Sequence, residues 1–201
     1  MLSHSAACER NQAPILSVLK QCFQAGVVQT VLEVGSGTGQ HAVYFGQHLP
    51  FLTWQTADQA HYIEDIQQRL ALHDLPNVLS PVVLDVMLNP WPVQPVEAVF
   101  SANTLHIMSE KQVVEFFRGS GQVVAEKGLL VVYGPFNYAG AFTSDSNAQF
   151  VMRLRTRDAM MGIRDIEWVQ KVAEQHDFFL QEDFEMPANN RLLCWQKRKA
   201  C

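Results

Sequence analysis

Apolar positions along the chain alternate between helical and strand-like spacing. From residue 10 to 24, Ile15, Leu16, Val18, Leu19, Cys22 and Phe23 recur close to helical intervals, and Gly26 ends the run. Residues 29–34 predict a buried strand that stops at a glycine-rich turn. Helical spacing resumes from Gln40 to Gln47, and Pro50 stops it. Leu52 to Thr56 predict another strand, and 60–72 another helix with Tyr62, Ile63, Ile66 and Leu70 on one face. Val78–Leu84, Val96–Ala102 and Leu129–Tyr133 are three further β-like runs, the first with Pro81 as an awkward member. Glu110–Phe117 is amphipathic, and 164–176 is a further helix candidate.

The last part of the chain differs in kind. Phe178–Phe184 and Arg191–Gln196 are β-like and are separated by Pro187-Ala188-Asn189-Asn190. That link is too short for a crossover helix, so the two runs should pair antiparallel. The pattern predicts one α/β domain over 1–201, a three-layer sandwich with a mostly parallel sheet and one strand reversed near the edge. A helix bundle is excluded by the number of short β-branched runs.

Composition narrows the class. Hydrophobic residues make up 48% of 201, enough for a real core and against global disorder. The net charge of −5 lacks the basic footprint of a nucleic-acid binder. Cys8, Cys22, Cys194 and Cys201 form no C-x-x-C pair and no zinc-spaced cluster, so free thiols and no metal site are expected. No apolar stretch reaches membrane-spanning length and no leader is visible, which predicts a cytoplasmic protein.

The candidate chemistry begins at Glu33-Val34-Gly35-Ser36-Gly37-Thr38-Gly39. Glycines between a strand and a helix let backbone approach a ligand and adopt positive φ, and the helix start offers free N–H donors. Gln40 stands where a dinucleotide fingerprint needs glycine, and no lysine follows as in a P-loop. Glu33 would repel a pyrophosphate and suits a cation. S-adenosylmethionine carries an amino group and a sulfonium and no phosphate. Asp58, after the second strand, is placed to bond ribose hydroxyls, and Asp85 to accept from the adenine amino group. The bland alternatives are a solvated loop aspartate for Asp58 and a helix cap or turn residue for Asp85. Asn103 and His106, after the fourth strand, would face the methyl group. Asn103 could bond the methionine moiety or position a nucleophile, and His106 could take its proton or be merely structural.

With these residues the chain resembles the class I methyltransferase superfamily. It also resembles the methyltransferase-like 26 family, formerly a domain of unknown function. The segments that carry this second resemblance are Ala7-Cys8-Glu9-Arg10-Asn11, the glycine loop through Gln40-His41, Leu52-Thr53-Trp54-Gln55, Ser101 to Ile107, Tyr133-Gly134-Pro135-Phe136, Thr143 to Asn147 and Gly162-Ile163-Arg164-Asp165. Thr56-Ala57 departs from the Pro-Ser expected before Asp58. The resemblance implies a seven-stranded sheet with its last strand antiparallel and S-adenosylmethionine as cofactor; it supplies no substrate. The expected cofactor set is Arg10, Asn11, Glu33, Gly35, Ser36, Gly37, Gly39, Gln40, Asp58, Asp85, Val86 and Asn103, with Asn103 and His106 as catalytic candidates. Residues 1–25 would cover the cofactor mouth and 135–165 would form a substrate lid. Thr143–Asn147 reads equally as lid or helix cap. Arg153, Arg155, Arg157 and Arg164 read as a solvated helix face or as a site for an anionic small-molecule acceptor. Two rivals stay open: a module that binds the cofactor or its demethylated product without turnover, and a nicotinamide-dependent oxidoreductase, against which Glu33 and Gln40 speak.

Overall fold

The computed structural model describes residues 3–24 and 26–199. Its first helix, α1 (Ala6–Cys22), starts one turn earlier than the apolar spacing predicts, because the Ser5 side chain caps it by accepting from Cys8 N. Pro14 lies inside α1 and has no N–H, so the Arg10 carbonyl lacks its helical donor. Then follow β1 (Thr30–Val34), α2 (Gln40–His48), β2 (Thr53–Asp58), a 3₁₀ turn (Ala60–Tyr62), α3 (Ile63–Leu70) and β3 (Val78–Val83). The second half comprises β4 (Val96–Ala102), α4 (Glu110–Val123), β5 (Val124–Gly134), β6 (Phe136–Asn137), α5 (Asp145–Arg157), β7 (Arg164–Asp165), α6 (Ile166–Glu174), β8 (Phe178–Met186) and β9 (Asn190–Lys197).

Seven strands form one sheet in the order β3-β2-β1-β4-β5-β9-β8. All neighbours pair parallel except β9, which runs antiparallel to both β5 and β8. The expected hairpin is therefore present, and the last strand is inserted between β5 and the edge. Pro81 is tolerated because β3 is the opposite edge and its register with β2 shifts there. Gln55 Nε2 donates to the Ser80 carbonyl (2.7 Å) and Thr56 Oγ1 to that of Leu79 (3.1 Å) beside the shift.

The central strands are buried on both faces, which is why they read as continuous apolar runs. Leu130 and Val132 of β5 and Leu193 and Trp195 of β9 face one core, with Phe116 and Phe117 of α4 and Val169 of α6. Val131, Leu192 and Cys194 face the other, with Ile15 and Leu19 of α1 and Phe45 of α2. Cys8, Cys22 and Cys194 are free thiols, as expected; Cys194 neighbours Cys22 and not Cys8, and Cys201 lies outside the described residues.

The chain leaves β1 toward β2 and β3, then returns to β4 on the other side of β1. This reversal is the topological switch point, where open α/β sheets leave a crevice beyond the strands' carboxyl ends. The glycine loop after β1 and the Asn103 turn after β4 meet there.

Candidate active site

A cavity of about 930 Å³ occupies that crevice. Ser5, the cap of α1, and Cys8 and Arg10 within it wall one side, Gly35, Ser36 and Gly37 come from the loop, and Asp58 from the end of β2. Leu84 and Val86 come from beyond β3, Asn103 and His106 from beyond β4, and Phe150, Arg153 and Arg157 from α5. Of the expected residues, Arg10, Gly35, Ser36, Gly37, Asp58, Val86, Asn103 and His106 thus share one cavity.

The loop's glycines do different things. Gly35 has φ +80°, and a Cβ there would stand 2.5 Å from Thr104 Cγ2, so it brings β1 and the β4 turn together. Gly37 has φ +55° and open space where a Cβ would be. Gly39 has φ +71° and caps α2 without a side chain, so it shapes the loop behind the cavity wall. Asp58 accepts from Gly37 N (2.6 Å) and Gln59 N (2.7 Å), fastening the loop to the end of β2. Burial pushes its carboxyl up, partly offset by those two bonds.

Four other expected residues stand behind the wall. Glu33 points beneath the loop, only 1% exposed, and accepts from Trp54 Nε1 (3.0 Å). Burial pushes it up to about 7, so it is not the fully ionised group that a charge argument from sequence assumes. Gln40 grips Ser5, accepting from its N–H (2.6 Å) and donating to its carbonyl (3.3 Å), which anchors the start of α1 over the cavity. Asn11 bonds His41 Nε2 (2.7 Å) and fastens α1 to α2, which presents neighbouring Arg10 to the cavity. Asp85 accepts from Met87 N (2.9 Å), the turn role, and from Gln59 Nε2 (3.3 Å), so Gln59 and Val86 form the wall in front of it.

Asn103 is held at φ +60°, a conformation non-glycine residues rarely adopt, with its N–H on the Tyr133 carbonyl (2.8 Å). His106 is buried edge-on to Phe150, ring centroids 5.2 Å apart. Burial, helped by nearby Arg164, lowers it to about 4, so it does not titrate near neutrality. It is a neutral imidazole at pH 7, suited to accepting a hydrogen bond and poor at retaining a proton.

The stretch 135–165 adds residues that the apolar pattern did not single out. Ser144 caps α5 by accepting from Asn147 N (3.2 Å), which settles the helix-cap alternative, while Ser146, Asn147 and Phe150 face the cavity. The spacing of Ser146, Phe150, Arg153 and Arg157 is helical, but the stripe is polar and so escapes a search for apolar periodicity. Arg164 does not belong to the exposed basic face. It is 9% exposed and donates to the carbonyls of Leu105 (3.4 Å), Met108 and Met160 (2.8 Å), and Gly162 N donates to His106 O (2.9 Å). These bonds pin the His106 turn to the segment after α5. Arg69 of α3, also not anticipated, donates to the Thr38 carbonyl and to that of Ser3, tying the glycine loop to the segment before α1.

No group of three or more His, Cys, Asp or Glu side chains among the described residues is placed to hold a metal ion. No helix among them is long and apolar enough to cross a membrane.

A seven-stranded, mostly parallel sheet whose last strand is reversed, with its crevice at the β1/β4 switch point, is the Rossmann-like methyltransferase fold. The chain belongs to a family described as a protein of unknown function (DUF938), whose model matches residues 2–197. Among solved structures it is similar to an O-methyltransferase family protein from Burkholderia thailandensis (TM-score 0.81, 18% identity, 96% of this chain and 58% of that one). It is also similar to human N-acetylserotonin methyltransferase in complex with SAM (0.79, 12%, 96% and 53%). A third is an O-methyltransferase family 2 protein from Planctomyces limnophilus in complex with apigenin (0.79, 14%, 95% and 60%). The chain spans little more than half the length of these proteins. At such identities the likeness is one of fold.

Proposed function

We propose that this protein is an S-adenosylmethionine-dependent methyltransferase acting on a small molecule, of the methyltransferase-like 26 type. The observation that carries the reading is the shared cavity in which the glycine loop, Asp58, Asn103 and His106 converge at the switch point. The residues fit that cofactor. The open space beside Gly37 admits a ligand to the backbone. Asp58 lines the cavity, and its two oxygens, each accepting one backbone N–H, keep lone pairs for ribose hydroxyls; Leu84 and Val86 offer an apolar surface for adenine, with Asp85 acting through Gln59. Glu33 lies beneath the loop with a carboxyl that a bound cation would ionise. Arg10 suits the carboxylate end.

Bound there, S-adenosylmethionine would be held by the glycine loop, Asp58 and Arg10 and would supply an electrophilic methyl group with a neutral thioether as its leaving group. The protein's task is alignment and exclusion of water. Asn103, locked by its backbone, orients the acceptor. His106 accepts a hydrogen bond from its O–H or N–H and passes any released proton on to solvent, since its low basicity keeps it neutral.

Calorimetry with S-adenosylmethionine and S-adenosylhomocysteine tests the reading. Micromolar binding is expected, and Asp58→Ala should cost about 1.5–3 kcal/mol of it through the lost ribose and Gly37 bonds. Absence of binding to the unmodified chain, or tighter binding of reduced nicotinamide dinucleotide, would sink the proposal. Binding without transfer of labelled methyl to any component of a metabolite extract would make the protein a non-catalytic module.

A further inference from the structure

The α5 wall of the cavity carries a charge that the cofactor does not account for. One stripe of α5 faces it: Ser146, Phe150, Arg153 and Arg157, spread over about 16 Å of helix. On an adjoining face of the helix Val151 and Leu154 are buried, 4% and 3% exposed, so this orientation is fixed. The Arg153 guanidinium carbon lies 5.8 Å from the centroid of the Phe150 ring, whose centroid is 5.2 Å from that of His106. Neither Arg153 nor Arg157 has a carboxylate within ion-pair distance among the described residues. Asp158 shares the cavity, but one of its oxygens accepts from Met160 N (2.8 Å). The chain as a whole carries a charge of −5, so two unpaired guanidinium groups on one cavity wall run against its background. Dipole complementarity at the end of α5 explains Arg155 and Arg157 in its last turn, but not Arg153 one turn earlier.

We infer that the acceptor is a small aromatic anion, whose carboxylate or phosphate is held by Arg153 and Arg157 and whose ring lies against Phe150, with the nucleophile directed to Asn103 and His106. The inference rests on the methyltransferase reading for the role of the nucleophile. The anion site itself stands on the α5 stripe. Forked guanidinium donors match planar carboxylate and tetrahedral phosphate alike.

The test is a titration of the full chain, with and without S-adenosylhomocysteine. The probes are 4-hydroxybenzoate, salicylate and phenyl phosphate, each against its uncharged counterpart: methyl 4-hydroxybenzoate, methyl salicylate and phenol. At least one acid should bind ten-fold or more tighter than its counterpart, and whether carboxylates or phosphate lead identifies the anion. The Arg153→Gln/Arg157→Gln variant should bring that pair within two-fold, with S-adenosylhomocysteine affinity retained. Arg155→Gln, on the same helix but off the cavity, should change nothing. Binding by no acid, equal binding of acid and neutral counterpart, or a preference that survives in the double variant overturns the inference. A chain that fails to bind S-adenosylhomocysteine yet discriminates acids through these arginines defeats the cofactor reading and leaves the anion site standing.

Discussion

Replacing Gly35 by Ala probes how the loop after β1 and the turn after β4 are joined. The new Cβ would stand 2.5 Å from Thr104 Cγ2, and the backbone would be held at φ +80°. Thr104 cannot rotate away cheaply. Ser101 Oγ donates to the Val34 carbonyl (2.7 Å), so the 2.6 Å contact between the two hydroxyls must be donated by Thr104. The left-handed backbone costs alanine about 1–2 kcal/mol, and overpacking adds about 1–3 kcal/mol. Gly35→Ala should therefore lose roughly 2–5 kcal/mol, lowering the thermal midpoint by roughly 4–20 °C for a domain of this size. Thr104→Ser removes Cγ2, keeps the hydroxyl, and alone should cost about 1 kcal/mol. In that background Gly35→Ala should cost only the backbone part, so the double-mutant cycle should show about 1–3 kcal/mol of coupling. Urea unfolding of the four proteins measures it. Additive losses, with coupling below about 0.5 kcal/mol, would show that the two turns are not in the contact that shapes the cavity.

Three further outcomes follow from the buried charges. Glu33 is pushed from 4.5 to about 7 by burial, so the folded state keeps its proton where the unfolded state releases it, and stability falls as pH rises through that window. Glu33→Gln keeps an acceptor for Trp54 and should be more stable above pH 7, by up to roughly 3 kcal/mol, with no difference below about pH 4.5; in the unmodified chain a cationic ligand should bind more tightly as pH rises through 7, and denaturation series at several pH values and calorimetry read these effects. His106 is held neutral down to about pH 4 when folded but charges near 6.5 when unfolded, so it removes stability as pH falls between those values; His106→Gln should flatten that slope, seen as a smaller loss of thermal midpoint between pH 7 and 5. Arg164→Gln leaves two of three carbonyls short of a donor and should cost about 2–4 kcal/mol; the His106 pKa, followed by NMR, should rise as the cation beside it is lost.

Much of the fold is legible in the amino-acid order because burial is periodic. Leu130 to Val132 face alternate cores from consecutive positions, and a run like that is a parallel strand covered on both sides. The short link at Pro187–Asn190 required a hairpin, since no crossover fits in four residues. The glycines before α2 announced a turn that needs positive φ, and Gly35 and Gly37 of that turn line the crevice.

What only tertiary structure decided is which side chains face the cavity and in which state of charge. A carboxylate in sequence carries no sign of its depth: Glu33 lies under the loop with a raised pKa, while Asp58, twenty-five positions on, stands at the wall. Asn11 and Gln40 became struts because α1 folds back over α2, a contact between segments about thirty residues apart. Arg164 left the basic face assigned to it because a separate short strand carries it into the turn that bears His106. Periodicity reports which residues avoid water along one element. Solvation, charge and partnership at this cavity depend on distances between elements, which the order of residues does not contain.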